Sequence, residues 1–466
     1  MNRSSAAFRA PLPMGGSAEA RVAAGLVALL GCGTVLALAG AAQNALPMAV
    51  AGGAAAAAAL VLLVAGGWVD APIAIVLAIP LPAVYETDTL RIAAAAPATA
   101  AVLVGWVLRW GVGGDRVSLG ALPRRALLGL GAALALATAA ATHPVASARE
   151  LVNLAVLGAL LMVAIDAFEG RPRRTRATLG LLVAVAAVCG GLAVLETIAV
   201  RPGRFPRWGT PFNRAALGFG QPNGLGLFLS VTLPLAVERV RGTQSPAGRA
   251  AAAVAAAAIV AGLFATFSRG SWLAVLGGSL VLLFTGDLRT AVRIWIATIA
   301  IAVVVDLGSG GALRDTFERT IDDWVIEQRA ALMLAGVLMF SMRPLLGVGP
   351  GGFAENLDRV GAQIPQLWDY LPTPHNAYVQ MAAESGIVGL AAFVVFLFVI
   401  LRTVVRRVRA LPAARPAARR QRLALLWSVA VLACAGMVVW PFAHGTGQAA
   451  MIVLAAALAD DGGNGA

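Results

Sequence analysis

One histidine and two arginines have the types and positions needed for proton transfer beside an anion. His375 lies in the stretch LPTPHNAYVQMAAESGIVGL, residues 371–390, where a proline-rich loop runs into an apolar segment. Arg269 lies in FSRG between two apolar runs, and Arg329 precedes AALMLAGVLMF. Histidine is the most frequent general base, and a guanidinium binds phosphate oxygens through two parallel hydrogen bonds. The three side chains therefore predict base catalysis next to an anion site.

The sequence around His375 predicts a helix start. PTPHN places Thr373 as the N-cap, Pro374 in the first turn and His375 just inside the helix. The positive end of a helix dipole disfavours an imidazolium, so His375 is expected to be neutral, as a general base must be. The alternative is a capping or packing histidine at a membrane boundary.

The arginines also allow plainer interpretations. An isolated arginine at a membrane interface is costly unless it meets an anion or a carboxylate, but Arg269 could instead extend to lipid headgroups. Arg329 could form a surface ion pair with Glu327 or Asp323. Arg214, in an outer segment, is a second-rank candidate for the anion site.

Carboxylates and glycines supply the remaining candidates. Glu196 and Glu384 lie within apolar stretches, where a carboxylate is a candidate functional residue and could hold an arginine in place.

The sequence GVGPGG at 347–352 fits the pattern G-x-G-x-x-G, but without a preceding strand and a following helix it predicts a tight turn rather than a dinucleotide site. Glu86 and Asp88 are the one close outer pair that could hold a divalent cation, and no transition-metal site or cofactor is expected.

The composition decides where these residues lie. The chain of 466 residues is 59% hydrophobic and 13% charged, with mean hydropathy +0.82, which excludes an ordinary soluble domain. All 36 basic residues are arginine, giving a net charge of +13, and the dense clusters fall in short loops. Orienting charge in a membrane protein explains them better than nucleic-acid binding does. The predicted fold is an all-α polytopic bundle with about 12–14 transmembrane helices.

The positive-inside rule gives the organisation along the chain. We expect a cytoplasmic tail over residues 1–21 and transmembrane helices over 22–306 with an outer loop at 200–218. A large outer loop over 307–376 follows, with an amphipathic helix in LRDTFERTIDDWVIEQRAALMLAGVLMF. Helices over 377–459, with a basic cytoplasmic loop at 402–422, precede a tail over 460–466. Both termini would be cytoplasmic, and His375, Arg269 and Arg329 would face outward.

At these residues the chain resembles the bacterial O-antigen ligase and O-antigen polymerase family of membrane glycosyltransferases. The similarity covers about residues 211–401 and rests on FSRG at 267–270, RPLLGVGPGGF at 343–353 and PHNAYVQMAAESGIVGL at 374–390. It implies transfer of a glycan from undecaprenyl diphosphate to an acceptor hydroxyl at the periplasmic face of the inner membrane, without metal. It also implies that His375 acts as the base and that Arg269 and Arg329 bind the diphosphate.

Further residues and partners complete the prediction. Arg214, Asn376, Tyr378 and Glu384 are expected to help bind the diphosphate, and the acceptor would be lipid A-core or another glycan. A single displacement would invert the anomeric centre. Three alternatives stay open at this point: a polymerase of the same family, a lipid-linked oligosaccharide transporter, and a metal-dependent glycosyltransferase that uses Glu86 and Asp88.

Overall fold

The structure is a computed structural model of the chain. It describes residues 16–42, 46–81, 83–86, 91–93, 95–113, 121–198, 213–284, 288–308, 310–311, 314, 323–364, 367, 373–412, 415–442 and 444–459. Of the sites predicted above, Asp88 and most of the outer loop 200–218 lie outside these residues.

The described residues form a bundle of helices, which confirms the predicted helical membrane fold. The helices are α1 Gly16–Ala42, α2 Leu46–Ala65, α3 Ala71–Ala78, α4 Ala95–Gly113, α5 Ala121–Ala139, α6 Pro144–Phe168, α7 Pro172–Ile198, α8 Pro222–Gly242, α9 Pro246–Ala265, α10 Arg269–Ser279, α11 Val281–Phe284, α12 Leu288–Gly308, α13 Asp323–Met342, α14 Leu357–Gly361, α15 Ala377–Ala410, α16 Pro416–Ala435 and α17 His444–Leu458. Single turns of 3₁₀ helix cover Leu217–Phe219 and Ala354–Asn356.

A small antiparallel hairpin adds to the helices. Strand β1, Ala83–Glu86, pairs with strand β2, Arg91–Ala93, and Glu86 lies opposite Arg91. The hairpin falls between α3 and α4.

Four of the described helices are long and apolar enough to cross a membrane by length and composition, namely α6, α7, α9 and α15. Shorter apolar runs lie within other helices, among them Arg21–Ala37 in α1, Val50–Ala65 in α2, Ala96–Arg109 in α4 and Gly445–Leu458 in α17. The predicted total of 12–14 spans stays a prediction.

Small residues set the distances between neighbouring helices. A Cβ at Gly262 of α9 would lie 2.3 Å from the Cα of Gly190 of α7, so the two backbones touch. Helix α16 packs against both α8 and α10, and Gly278 of α10 has no room for a side chain beside Val431. Close backbone approach of this kind is the usual basis of helix association in membranes. It fixes α8 and α10, which bear part of the site.

Helix α15 is broken at Gly386, where the backbone turns to φ 62° and ψ −165°. Beyond the break, the amides of Ile387 and Val388 donate to the carbonyls of Pro344 and Leu345, at 2.8 and 3.4 Å. The preceding chain segment thus replaces hydrogen bonds that the helix itself has lost.

The carbonyls before the break are satisfied by the glycine-rich turn. The amide of Val348 donates to Ala383 O at 3.0 Å, and that of Gly349 donates to Glu384 O at 2.8 Å. A Cβ at Gly347 would lie 2.4 Å from the carbonyl carbon of Glu384. The turn therefore inserts into the helix and fixes its first segment, Ala377–Ser385, which begins just after His375.

Helix α13 takes the place of the predicted amphipathic helix. It buries Leu332, Ala335 and Met339 in a small apolar cluster with Val348 and Phe353. It also packs against α15, since a Cβ at Gly336 would come within 2.5 Å of Val379. Residues 315–322, the middle of the predicted helix, lie outside the described residues. The packing of α13 fixes Arg329 relative to the start of α15.

Candidate active site

Arg269 is the first residue of α10, and the turn before it is strained. Phe267 has φ 48°, a left-handed conformation that bulky residues rarely adopt and that concentrates at functional sites. Ser268 is the N-cap but makes no capping hydrogen bond through its side chain. The positive end of a helix dipole and a guanidinium thus coincide at Arg269, an arrangement that favours an anion.

Arg214 is held beside the same turn by two hydrogen bonds. Its Nε donates to Thr266 O at 3.1 Å, and its Nη2 donates to Asn223 Oδ1 at 3.3 Å. Ser268 Oγ donates to the same Asn223 oxygen at 2.9 Å. Asn223 therefore links Arg214 to the residue that precedes Arg269. Asn223 is not among the site residues predicted from the sequence.

Glu196 anchors the segment that carries Arg214. Its Oε2 accepts hydrogen bonds from the amides of Ala216 and Leu217, at 3.1 and 3.0 Å. Leu217 has φ 46°, so the carboxylate stabilises a second left-handed turn near the site. The suggestion that Glu196 holds an arginine is wrong, because its described partners are backbone amides.

Arg214, Arg269 and Arg329 line one open cleft. The other lining residues are Asn223, Phe267, Ser268, Gly270, Ser271, Val438 and Val439. Every charged residue in this lining is an arginine. Three guanidiniums around one space, with no carboxylate among the lining residues, form an environment that favours a multiply charged anion.

Arg329 reaches this cleft from α13. Burial and the positive charge of Arg269 both lower the pKa of Arg329, which places the two guanidiniums near each other. Arg329 is exposed as a whole residue, while the protein around its guanidinium still desolvates that group. No ion pair with Glu327 is present among the described residues. Two neighbouring like charges are unfavourable until an anion binds between them.

His375 lies close to Arg329 and is half-buried. Burial, followed by the charge of Arg329, lowers the pKa of His375 to about 4. The imidazole is therefore neutral at physiological pH, as the sequence analysis expected. The main cause is desolvation rather than the helix dipole.

The predicted helix start at His375 is wrong in detail. Asn376 is the N-cap of α15, and its Oδ1 accepts from the amides of Tyr378 and Val379 at 3.0 and 3.1 Å. His375 precedes the helix with φ 54°. Thr373 and Asn376 are both good N-caps, and the left-handed turn at His375 places the helix start after it. The amide of Ala377 donates to Gly436 O at 2.7 Å, which ties the histidine loop to the segment that carries Val438 and Val439.

Asn376, Tyr378 and Glu384 have structural partners outside the cleft lining. Asn376 uses its oxygen for the cap, and Tyr378 Oη donates to Ala433 O at 3.0 Å. Glu384 is 3% exposed and accepts from Phe353 N at 3.2 Å and from Gln380 Nε2 at 3.3 Å. The suggestion that Glu384 holds an arginine is therefore wrong, since the carboxylate holds the glycine-rich turn against α15.

The glycine-rich turn has the geometry of a packing device. Gly347, Gly349 and Gly351 all have positive φ, which only glycine adopts without strain. No strand precedes the turn within the described residues 323–364, so it lacks the context of a dinucleotide site, as expected. Among the described residues, no three His, Cys, Asp or Glu side chains form a group that could hold a metal ion.

Residues 253–394 match the family model of O-antigen ligase. The matched segment includes Arg269, Arg329 and His375, and it ends within α15. No curated protein sequence matches the chain. Together with the apolar helices, the match supports a membrane protein that carries an O-antigen ligase domain over these residues.

Proposed function

Because the chain carries an O-antigen ligase domain, we propose that it transfers a glycan from undecaprenyl diphosphate to a hydroxyl of lipid A-core. The reaction takes place at the periplasmic face of the bacterial inner membrane. The observation that supports this most is that Arg214, Arg269 and Arg329 line the same cleft and that His375 lies close to Arg329. A glycosyl transfer from a diphosphate needs both an anion site and a neutral base.

The arginines stabilise the leaving group. As the bond between the anomeric carbon and the phosphate oxygen breaks, its electron pair moves to the diphosphate and negative charge develops there. Guanidiniums already in place near that charge lower the barrier without reorganisation of solvent. Arg269 is also the first residue of α10, so the positive end of the helix dipole acts together with its guanidinium charge. Arg269 lowers the pKa of Arg329, and a bound diphosphate offsets this effect because its negative charge favours the charged guanidinium.

His375 takes the proton of the acceptor. The acceptor oxygen bonds to the anomeric carbon while its proton passes to the neutral imidazole, so one bond to carbon forms as another breaks. Bound diphosphate opposes the charge of Arg329 and raises the pKa of His375, which makes the imidazole a stronger base when the donor is in place. A single displacement inverts the configuration at the anomeric carbon.

The acceptor decides between a ligase and a polymerase. Purified protein in detergent is incubated with a fluorescent undecaprenyl diphosphate glycan and either lipid A-core or a second lipid-linked glycan. A single conjugate with lipid A-core is expected. A ladder of products made from lipid-linked glycan alone would contradict the ligase proposal and identify a polymerase, whereas transport without covalent transfer would contradict both.

A further inference from the structure

The orientation of the Asn223 amide is fixed by its neighbours. Its Oδ1 faces Arg214 Nη2 at 3.3 Å and Ser268 Oγ at 2.9 Å. A guanidinium can only donate hydrogen bonds, so the Asn223 atom facing it must be the oxygen. The amide nitrogen is therefore the atom on the other branch of the side chain.

The hydroxyls of Ser268 and Ser271 form a chain of hydrogen bonds that leads to the Asn223 oxygen. Ser268 Oγ and Ser271 Oγ lie 2.9 Å apart. Since Ser268 donates its proton to Asn223, it accepts from Ser271. Gly226 permits this contact, because a Cβ there would lie 2.6 Å from Ser271 Oγ. The contact between Ser268 and the Asn223 oxygen is thus supported by Ser271 in the first turn of α10.

In contrast to Oδ1, the amide nitrogen Nδ2 of Asn223 has no hydrogen-bond partner within the described part of the chain. Asn223 is half-buried and lines the arginine cleft. Within the described part of the chain, the contacts of its side chain are the two made by Oδ1. No carboxylate is found among the cleft lining. The two N–H groups of Nδ2 therefore remain for an acceptor that enters the cleft.

We propose that Asn223 is a donor-binding residue whose Nδ2 donates a hydrogen bond to a phosphoryl oxygen of the polyprenyl diphosphate. This inference rests on the proposed function and assigns a further residue to the same cleft. A neutral amide supplies a directional hydrogen bond without adding a fourth positive charge to the three arginines. The same residue positions Arg214, so its two roles must be separated by experiment.

The substitution Asn223→Asp separates the two roles. The aspartate keeps an oxygen that accepts from Arg214 and Ser268, so the positioning contacts survive, but it replaces the N–H donors with an acceptor. Binding of undecaprenyl diphosphate to the purified protein is measured with wild type, Asn223→Asp and Asn223→Ala. Gln221→Glu serves as the control, because it places a negative charge two residues away on an exposed side chain outside the cleft lining.

Asn223→Asp is expected to weaken binding about tenfold or more, with an unchanged melting temperature, while Gln221→Glu binds nearly as wild type does. Binding by Asn223→Asp equal to that of wild type would overturn the inference, and so would a loss confined to Asn223→Ala.

Arg269→Ala distinguishes the inference about Asn223 from the proposed function. If Arg269→Ala loses binding and Asn223→Asp does not, only the inference fails. If wild type does not bind undecaprenyl diphosphate, the proposed donor fails and the inference with it.

Discussion

Arg329 lies near enough to His375 for its charge to add to the effect of burial in lowering the imidazole pKa to about 4. The two residues come from different elements, α13 and the loop before α15, which are held together by the packing of Gly336 against Val379. A base and an anion-binding group are therefore coupled electrostatically. Filling the anion site changes the strength of the base.

This coupling predicts the direction of a pKa change. Arg329→Gln removes a positive charge, so the imidazolium becomes less unfavourable and the pKa of His375 rises above about 4. It stays below the usual value because burial is the larger cause. The pH dependence of His375 modification by diethyl pyrocarbonate, followed by mass spectrometry, measures it. Arg359→Gln, at an exposed position in α14, is the control, and a pKa that fails to rise would contradict the coupling.

The arginine cleft predicts that replacing Arg269 lowers turnover and that a positive charge alone at this position does not restore it fully. Arg269→Ala should lower turnover by about 10²–10³-fold. Arg269→Lys should recover only part of it, because a lysine lacks the planar fork that binds two phosphate oxygens. Initial rates of glycan transfer measure both variants, with Arg359→Ala as the control. Full activity of Arg269→Lys would show that charge, and not bidentate geometry, is what the site uses.

Much of this site could be predicted from the sequence, because an arginine or histidine that interrupts apolar segments is costly without a function. Asn223 could not, since its role depends on contacts with Arg214 and Ser268 in distant segments. The break at Gly386 was missed for a similar reason. A glycine within an apolar helix is usually tolerated, and here the break depends on hydrogen-bond partners at Pro344 and Leu345.

The inserted turn predicts a strong effect of a methyl group at Gly386. A Cβ there would lie 2.2 Å from Leu345 O, and φ is 62°. Gly386→Ala should therefore destabilise the protein by about 1–3 kcal/mol from backbone strain alone. In contrast, Gly191→Ala in α7 meets no atom within 4 Å and should be neutral or stabilising by about 0.5–1 kcal/mol. Melting temperatures in one detergent compare the two, and equal values would contradict the account of the break.

Leaving-group stabilisation by arginine predicts that chelation has little effect. Transfer measured after dialysis against EDTA should equal that of untreated protein, and Glu86→Gln together with Asp88→Asn should retain activity. Loss of activity in EDTA that Mg²⁺ or Mn²⁺ restores would favour the metal-dependent alternative.

In the proposed reaction, His375 acts on the acceptor while the arginines bind the donor. His375→Ala tests it when binding of undecaprenyl diphosphate and glycan transfer are measured on the same preparation. Transfer should fall by about 10²–10⁴-fold, the usual contribution of a general base, while donor binding stays within a factor of about two, well under the tenfold that 1.4 kcal/mol represents. Loss of donor binding would contradict the account and make His375 a ligand of the diphosphate.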